Sequence, residues 1–310
     1  YSCGDELQTI INAGFSIKPY TIDCELNSKI DEIINLISDK TVAILVTHFF
    51  GLPHKNIDAI LKTCRSNNIY LIEDCAHCCG GSFKGKPLGL LGDISVFSLR
   101  KTQNIPHGGA LVVNNKNIVQ IPKMIPPGND VVSMDLFLFM GYRNGLILPG
   151  SPLNNILKKT TNLENREGAR HDKCGGYFLE ISNLAKIIIK NSGESNQHNQ
   201  HVRRDNFRYY LRFFNSIKNK SIRPLINKIG LESAPLFFPL IIDDSKKIWQ
   251  DLIENNIIIT QPFWDHKHNL IDFSKFPEAS TLKSKVIIFP TSHKIPRDFL
   301  ISFLSVLNNN

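Results

Sequence analysis

The sequence predicts an α/β fold: a large domain on a mixed, mainly parallel sheet, followed by a smaller C-terminal α/β domain. Three observations predict it. Short apolar runs alternate with runs of helical period through the first third, the pattern of strands joined by crossover helices. The compact β-rich run at residues 41–46 has the composition of a buried parallel strand. With 310 residues, 42% hydrophobic and 21% charged, the chain can build two domains with sizeable cores.

Each element follows from its own pattern. Residues 16–22 read as a strand after the turn residue Gly14, and residues 28–37 carry apolar positions at helical spacing. Residues 41–46 form the next strand. Residues 56–66 are helical by period, with Ile57, Ile60 and Leu61 on one face. Residues 69–72 make a strand that ends in Glu73 and Asp74, and residues 94–98 and 110–113 make two more. The pattern changes at residues 121–150, which are rich in Pro, Gly and Met and suit a loop over a site. Residues 178–190 are helical by period, residues 191–201 are polar and weakly structured, and residues 202–217 form an amphipathic helix. Its apolar set is Phe207, Tyr210, Leu211 and Phe214. Residues 236–242, 257–260 and 286–289 read as strands, and residues 245–254 and 297–307 as helices. The expected division is a large domain over 1–178 and a connecting helix with the small domain over 179–310.

Charge is uneven. Residues 1–150 carry 13 basic and 13 acidic side chains, and residues 151–310 carry 23 against 15, so the whole excess of +8 lies in the second half. A solvated basic surface explains this, and so does a phosphate-bearing ligand such as a nucleotide-linked substrate. No arginine-rich tract or aromatic-interleaved basic run marks a nucleic-acid binder. Seven scattered cysteines, an odd number, argue against a disulfide framework and for a reducing, cytoplasmic setting. No apolar run is long enough to span a bilayer; residues 134–149 are broken by Asp135, Gly141, Arg143 and Gly145. No secretory signal opens the chain, which begins on Tyr1 in mid-pattern.

The chemistry concentrates in the first half. The strand at 69–72 delivers Asp74 to the carboxyl edge of a sheet, where ligands of open α/β folds bind. A buried carboxylate there needs a cation, and a protonated pyridine nitrogen is one; a helix N-cap is the other reading of Asp74. Glycines 80, 81, 85, 89 and 92 permit tight turns, as in a plain hairpin. Ser98 ends an apolar strand, its hydroxyl suited to a phosphate or to a backbone group. Arg100, Lys101 and the pair Gly108 and Gly109 follow. A lysine amine with a lowered pKa forms Schiff bases, although a lone loop lysine is ordinarily only solvated.

Taken together, these segments are far more specific. The order and spacing of His48, Gly51 and Pro53, of Glu73, Asp74, Cys75, Ala76 and His77, of Lys84 and Gly85 through Gly92 and Asp93, of Phe97 and Ser98, and of Gly108, Gly109 and Ala110 resemble the DegT/DnrJ/EryC1/StrS family of sugar aminotransferases. That family depends on pyridoxal phosphate. Similarity continues in Arg203, Arg204 and Asn206, in the run from Pro235 to Pro239, and in Phe289, Pro290 and His293. The resemblance implies the type I fold of pyridoxal-phosphate-dependent transferases and a homodimer with its sites at the subunit interface. It implies an amino-acid donor and a nucleotide-linked keto-deoxysugar as acceptor, in polysaccharide or glycoconjugate biosynthesis. It also places Tyr1 inside the large domain, with the family's first helices and glycine-rich phosphate segment upstream.

The resemblance assigns roles residue by residue. Asp74 would pair with the ring nitrogen of the cofactor, His77 would stand near the ring hydroxyl where the family has Gln, and Ser98 would contact the phosphate. The family's cofactor-linking lysine lies five residues after that serine, where this chain has Gln103. An amide cannot take that role, and Lys101, two positions earlier, is the candidate. The Asn and Arg that the partner subunit of the family supplies align near Phe178 and Glu180, and His107 replaces an acidic residue. Two alternatives stay open: a sugar dehydratase without a linking lysine, with His77 or His107 as base, and a non-catalytic relative that acts as a binding protein.

Other constellations are weaker. Cys75, His77, Cys78 and Cys79 lack the second ligand pair of a zinc site and the context of a redox motif. Cys75 and Cys79 read as buried small residues, His48 as a satisfied core or rim histidine, and His198 and His201 as exposed.

Overall fold

The structure, a computed structural model, describes residues 1–2, 4–103, 105, 108–120, 123–124, 180–191, 193–217, 221–255, 261–263, 267–292 and 299–308. Helices α1 (Asp5–Asn12) and α2 (Ile30–Leu36) precede strand β1 (Ala43–Thr47). Helix α3 (Ile57–Ser66) then crosses to β2 (Tyr70–Asp74), which lies parallel to β1 with Thr47 beside Asp74. A two-stranded hairpin, β3 (Ser82–Phe83) and β4 (Lys86–Pro87), follows, with Gly85 in the left-handed region at its turn. Strand β5 (Ile94–Phe97) adds to β2 in parallel, and a four-residue helix α4 (Leu99–Thr102) leads to β6 (Ala110–Val113), antiparallel to β5. The sheet order is β1-β2-β5-β6, the mixed, mainly parallel sheet expected of the first half.

Alternation divides the sheet into two faces. Ile44, Val46, Leu71, Glu73 and Ser95 are buried on one, where Ile44, Val46 and Leu71 meet Ile57, Ile60 and Cys64 of α3. The helix buries Ile57, Ile60 and Cys64 because they recur at three- and four-residue spacing.

The second half begins with α5 (Asn183–Lys190), capped by the Ser182 hydroxyl accepting from Ala185 N at 3.2 Å, and α6 (Gly193–Ser216). Strands β7 (Ile222–Pro224), β8 (Phe237–Ile242), β9 (Gln261–Pro262) and β10 (Val286–Pro290) form an antiparallel sheet of order β7-β8-β10-β9. Helices α7 (Ser245–Glu254), α8 (Pro277–Lys285) and α9 (Phe299–Asn308) complete it. Its core is aromatic: Phe207, Phe214, Phe238, Phe289 and Phe303 are all buried in one cluster.

Two expectations are corrected. Residues 16–22 are not a strand. Their segment is held by side chains instead: Tyr20 Oη donates to Leu45 O at 2.7 Å, and Thr21 N donates to Glu32 Oε1 at 2.9 Å. Residues 193–201 are helical, not weakly structured. Phe207, Tyr210 and Phe214 anchor the later half of α6, and extending an anchored helix gains one hydrogen bond for each residue fixed. Helix α1, strand β7 and helix α8 were not foreseen. The strand expected at 257–260 and most of residues 121–150 lie outside the described residues.

The two sheets meet through backbone. Leu236 N donates to Phe50 O at 2.8 Å and Ala234 N to Gly51 O at 3.1 Å. Gly51 is obligatory here: its φ is +83°, and a Cβ would lie 2.0 Å from Ala234 O and 2.8 Å from His77 O. Beside this seam, Ile22, Leu26, Phe49 and Phe50 pack with Leu225, Ile241, Phe263 and Val286 in one cluster.

Candidate active site

The carboxyl ends of β1, β2 and β5 bring the candidate residues together. Asp74 ends β2 on the face opposite Glu73. Its Oδ1 accepts from Ala76 N at 2.9 Å, an Asx turn, and its Oδ2 accepts a long bond from Thr47 Oγ1 at 3.4 Å. Burial pushes its carboxyl above the ordinary range; the Ala76 N–H and the nearby Lys101 and His48 oppose this without reversing it.

His77 is 2% exposed. Its ring lies nearly parallel to Phe50 (centroids 6.4 Å apart, 15° between planes) and packs against Phe237 at 5.8 Å and Phe263 at 5.5 Å. Phe50 N donates to its Nδ1 at 3.4 Å, and Lys101 Nζ lies 3.2 Å from its Nε2. Burial, then the Lys101 charge, holds its pKa well below the usual histidine value, so the ring is neutral at physiological pH.

Lys101 stands on α4. Ser98 occupies the N-cap position of this short helix without using its side chain as a cap, and its carbonyl accepts from Lys101 N at 3.2 Å. Gln103, where the resemblance expects a lysine, turns away from His77: its Nε2 lies 3.1 Å from Cys79 Sγ. The structure therefore brings Lys101 and not residue 103 to His77. His107 and Phe178 lie outside the described residues. Glu180 accepts a surface bond from Lys186 Nζ at 2.7 Å.

The opposite face of the sheet is closed. Glu73 is fully buried and accepts from Gly89 N (2.9 Å), Leu91 N (2.8 Å), Gly92 N (2.6 Å) and His48 Nε2 (3.0 Å). Burial alone would raise its pKa; the bonds from His48 and the backbone outweigh burial and hold it below the ordinary value. His48 Nδ1 accepts from His54 N at 3.1 Å, which fixes the proton on Nε2. Metal-capable atoms of His48, Glu73 and Cys75 lie within 4.8 Å of one another, but the histidine and carboxylate lone pairs are already engaged, so the cluster is a structural lock. Cys75 and Cys78 are buried, Cys79 is half-buried, and His198 and His201 are exposed.

Sequence reasoning missed the aromatic enclosure of His77 and the His48–Glu73 lock. The alternation of β2 was the available signal for Glu73; nothing local signals Phe237 or Phe263, which are more than 150 positions from His77.

The profile of the DegT/DnrJ/EryC1/StrS aminotransferase family matches residues 7–301. The chain belongs to that family. GDP-perosamine synthase of Escherichia coli O157:H7 is 38% identical over 91 residues, covering 29% of this chain and 25% of that protein. The chain spans less than half the length of such curated relatives. Among solved structures, the sugar aminotransferase CalS13 of Micromonospora echinospora superposes with a TM-score of 0.64 at 18% identity, covering 97% of this chain and 76% of that one. The E. coli GDP-4-keto-6-deoxy-D-mannose-3-dehydratase with bound hydrated PLP gives 0.63 at 20%, covering 96% and 75%. At these identities the likeness shows the fold, that of pyridoxal-phosphate-dependent sugar aminotransferases.

The donor set fits pyridoxal phosphate. Asp74 is a half-buried, desolvated carboxylate with few protein donors, which a cationic ring nitrogen would complete. Lys101 offers an amine held by a neutral imidazole. No helix among the described residues is long and apolar enough to cross a membrane.

Proposed function

We propose that this chain is a pyridoxal-phosphate-dependent aminotransferase. It would move an amino group, with glutamate as donor, to a ketone on a nucleotide-linked deoxysugar used in polysaccharide or glycoconjugate biosynthesis. The reading extends to a cytoplasmic homodimer, with a cofactor domain over 1–178 and a C-terminal domain over 179–310. The observation that carries it is the pair of Lys101 Nζ and His77 Nε2, 3.2 Å apart and close to Asp74.

The protonation logic supports a nucleophilic lysine. His77 is neutral, so only one ring nitrogen bears hydrogen. Its Nδ1 accepts from Phe50 N, so Nε2 is the N–H and donates to Lys101 Nζ. This bond needs the unprotonated amine of Lys101, the form that attacks a carbonyl; while Lys101 keeps its charge, the same contact depresses the basicity of His77 instead. The cofactor, when bound, supplies an electron sink for the carbon that loses its proton. Asp74 would hold a proton on the ring nitrogen, Ser98 would take the phosphate, and Lys101 would link the cofactor and carry the proton. Phe50, Phe237 and Phe263 exclude water behind His77.

Reduction by borohydride after adding pyridoxal phosphate, with the labelled peptide mapped by mass spectrometry, tests this reading. A pyridoxyl group on Lys101 is expected. Cofactor retained with no labelled lysine would favour a dehydratase with His77 or His107 as base, a reading left open by Gln103 at the lysine position. No cofactor retained would leave a binding protein.

A further inference from the structure

Phe50 holds a backbone conformation that its residue type disfavours. Its φ is +58° and its ψ +14°, in the left-handed region, and its side chain is fully buried. A bulky residue there is a genuine outlier, and such strain persists only where the surroundings over-determine it. Here they do so from both sides. His48, two residues earlier, is pinned by Glu73 and by His54 N. Gly51, the next residue, accepts from Ala234 N at 3.1 Å, and the Phe50 carbonyl accepts from Leu236 N at 2.8 Å. The Phe50 ring packs on Phe263 with centroids 4.7 Å apart. What the strained turn delivers is an N–H, aimed at His77 Nδ1 from 3.4 Å.

That N–H meets a rival across the ring. Lys101 Nζ lies 3.2 Å from His77 Nε2. An ammonium only donates, so it needs the lone pair on Nε2, whereas the Phe50 N–H needs the one on Nδ1. A neutral imidazole offers a single lone pair of this kind, so the two demands exclude each other. With Lys101 charged, the ring proton moves to Nδ1 and faces the Phe50 N–H, donor against donor in a buried place. With Lys101 as the amine, the proton sits on Nε2 and both contacts are satisfied. The charged groups beside this pair are Asp74 at the end of β2 and, next to Asp74, Glu6 of α1 and the titratable His48. An ionised Asp74 favours the charged lysine, and the Phe50 N–H works against it.

We propose that Phe50 is a positioning residue for Lys101 that acts through His77: its strained backbone commits an N–H to Nδ1, turns the ring proton toward Lys101 and so selects the unprotonated amine. Because Leu236 holds the carbonyl of the same residue, the seam between the two sheets bears directly on where that proton sits. The use of the amine to link a cofactor rests on the transamination reading, whereas the placement of the ring proton does not.

The test uses the chain without cofactor, so its failure and that of pyridoxal trapping are distinguishable. Histidines labelled with an NMR-active nitrogen isotope report which ring nitrogen carries the proton, and the His77 signals are those lost in His77→Gln. Spectra are taken from neutral pH up through the ordinary lysine range. In the parent chain the Nε2–H form is expected to predominate at the alkaline end and to yield to Nδ1–H only as Lys101 gains its proton. Replacing Phe50 by phenyllactate keeps the ring and exchanges the N–H for an ester oxygen. It is expected to lower the ratio of Nε2–H to Nδ1–H about tenfold, the worth of one hydrogen bond. Lys101→Met removes the rival donor, is expected to hold the Nε2–H form at every pH, and decides the matter if the phenyllactate chain does not fold. A parent ring that carries its proton on Nδ1 throughout, or a mixed ring in Lys101→Met, overturns the proposal. So does a ratio that phenyllactate leaves within about twofold of the parent, since the N–H would then direct nothing.

Discussion

Glu73 and Asp74 are consecutive carboxylates on one strand, and the two faces of the sheet treat them oppositely. Glu73 receives His48 and three backbone N–H groups, and its pKa falls. Asp74 receives one backbone N–H and a long hydroxyl bond, and its pKa rises. Both are desolvated, so the number of donors decides the sign. The face that completes its carboxylate is framework. The face that leaves its carboxylate short of donors suits a ligand.

Substitutions sharpen this contrast in order of expected size. Lys101→Ala on the open face should lower transamination by about 10²–10⁴-fold while leaving the urea midpoint nearly unchanged; retained activity would move the linking amine elsewhere. Glu73→Leu on the closed face should do the reverse. It unpairs His48 and three backbone N–H groups, and equilibrium unfolding should show a loss of about 3–5 kcal/mol. A loss under about 1 kcal/mol would mean that the lock is not structural.

His54 belongs to the closed face and gives it a pH dependence. Burial first, and then His48, lowers its pKa from 6.5 to about 4. The unfolded chain therefore binds a proton over that interval that the folded chain refuses. The stability His54 contributes is fully present above pH 6.5 and is lost as pH falls toward 4, about 3 kcal/mol in all. Unfolding titrations from pH 7 to 4 should show this slope, and His54→Gln should flatten it. Asp74→Asn should be a mild change to stability. Folding raises the Asp74 pKa, so its ionised form opposes folding at neutral pH, and the amide should leave unfolding within about 1 kcal/mol of the parent or slightly higher. A large destabilisation would give Asp74 the same structural part as Glu73.

What the sequence discloses follows the range of each interaction. The β1-α3-β2 unit was legible because its periods are local, and Asp74 because a strand edge announces itself. The shift from residue 103 to Lys101 was legible only as a lysine displaced by two positions; the His77 contact that receives it depends on a side chain 24 positions away. Residues 16–22 misled because a run following the turn residue Gly14 was read as a strand, when Tyr20 and Thr21 are held by Leu45 and Glu32. The enclosure of His77 by Phe237 and Phe263 was hidden for a related reason: only the completed second sheet brings them there.

Gly51 carries a consequence for how such a chain can be altered. It meets Ala234 and His77 backbone to backbone, with no room for a single added carbon. A junction written in main-chain atoms does not register which side chains surround it. Exchange of the two halves between relatives must therefore keep the glycine, its carbonyl partners and an apolar cluster beside them of the same volume. A library of chimaeras joined between these sheets should lose function when position 51 gains a methyl group, far more than when the flanking apolar residues are shuffled.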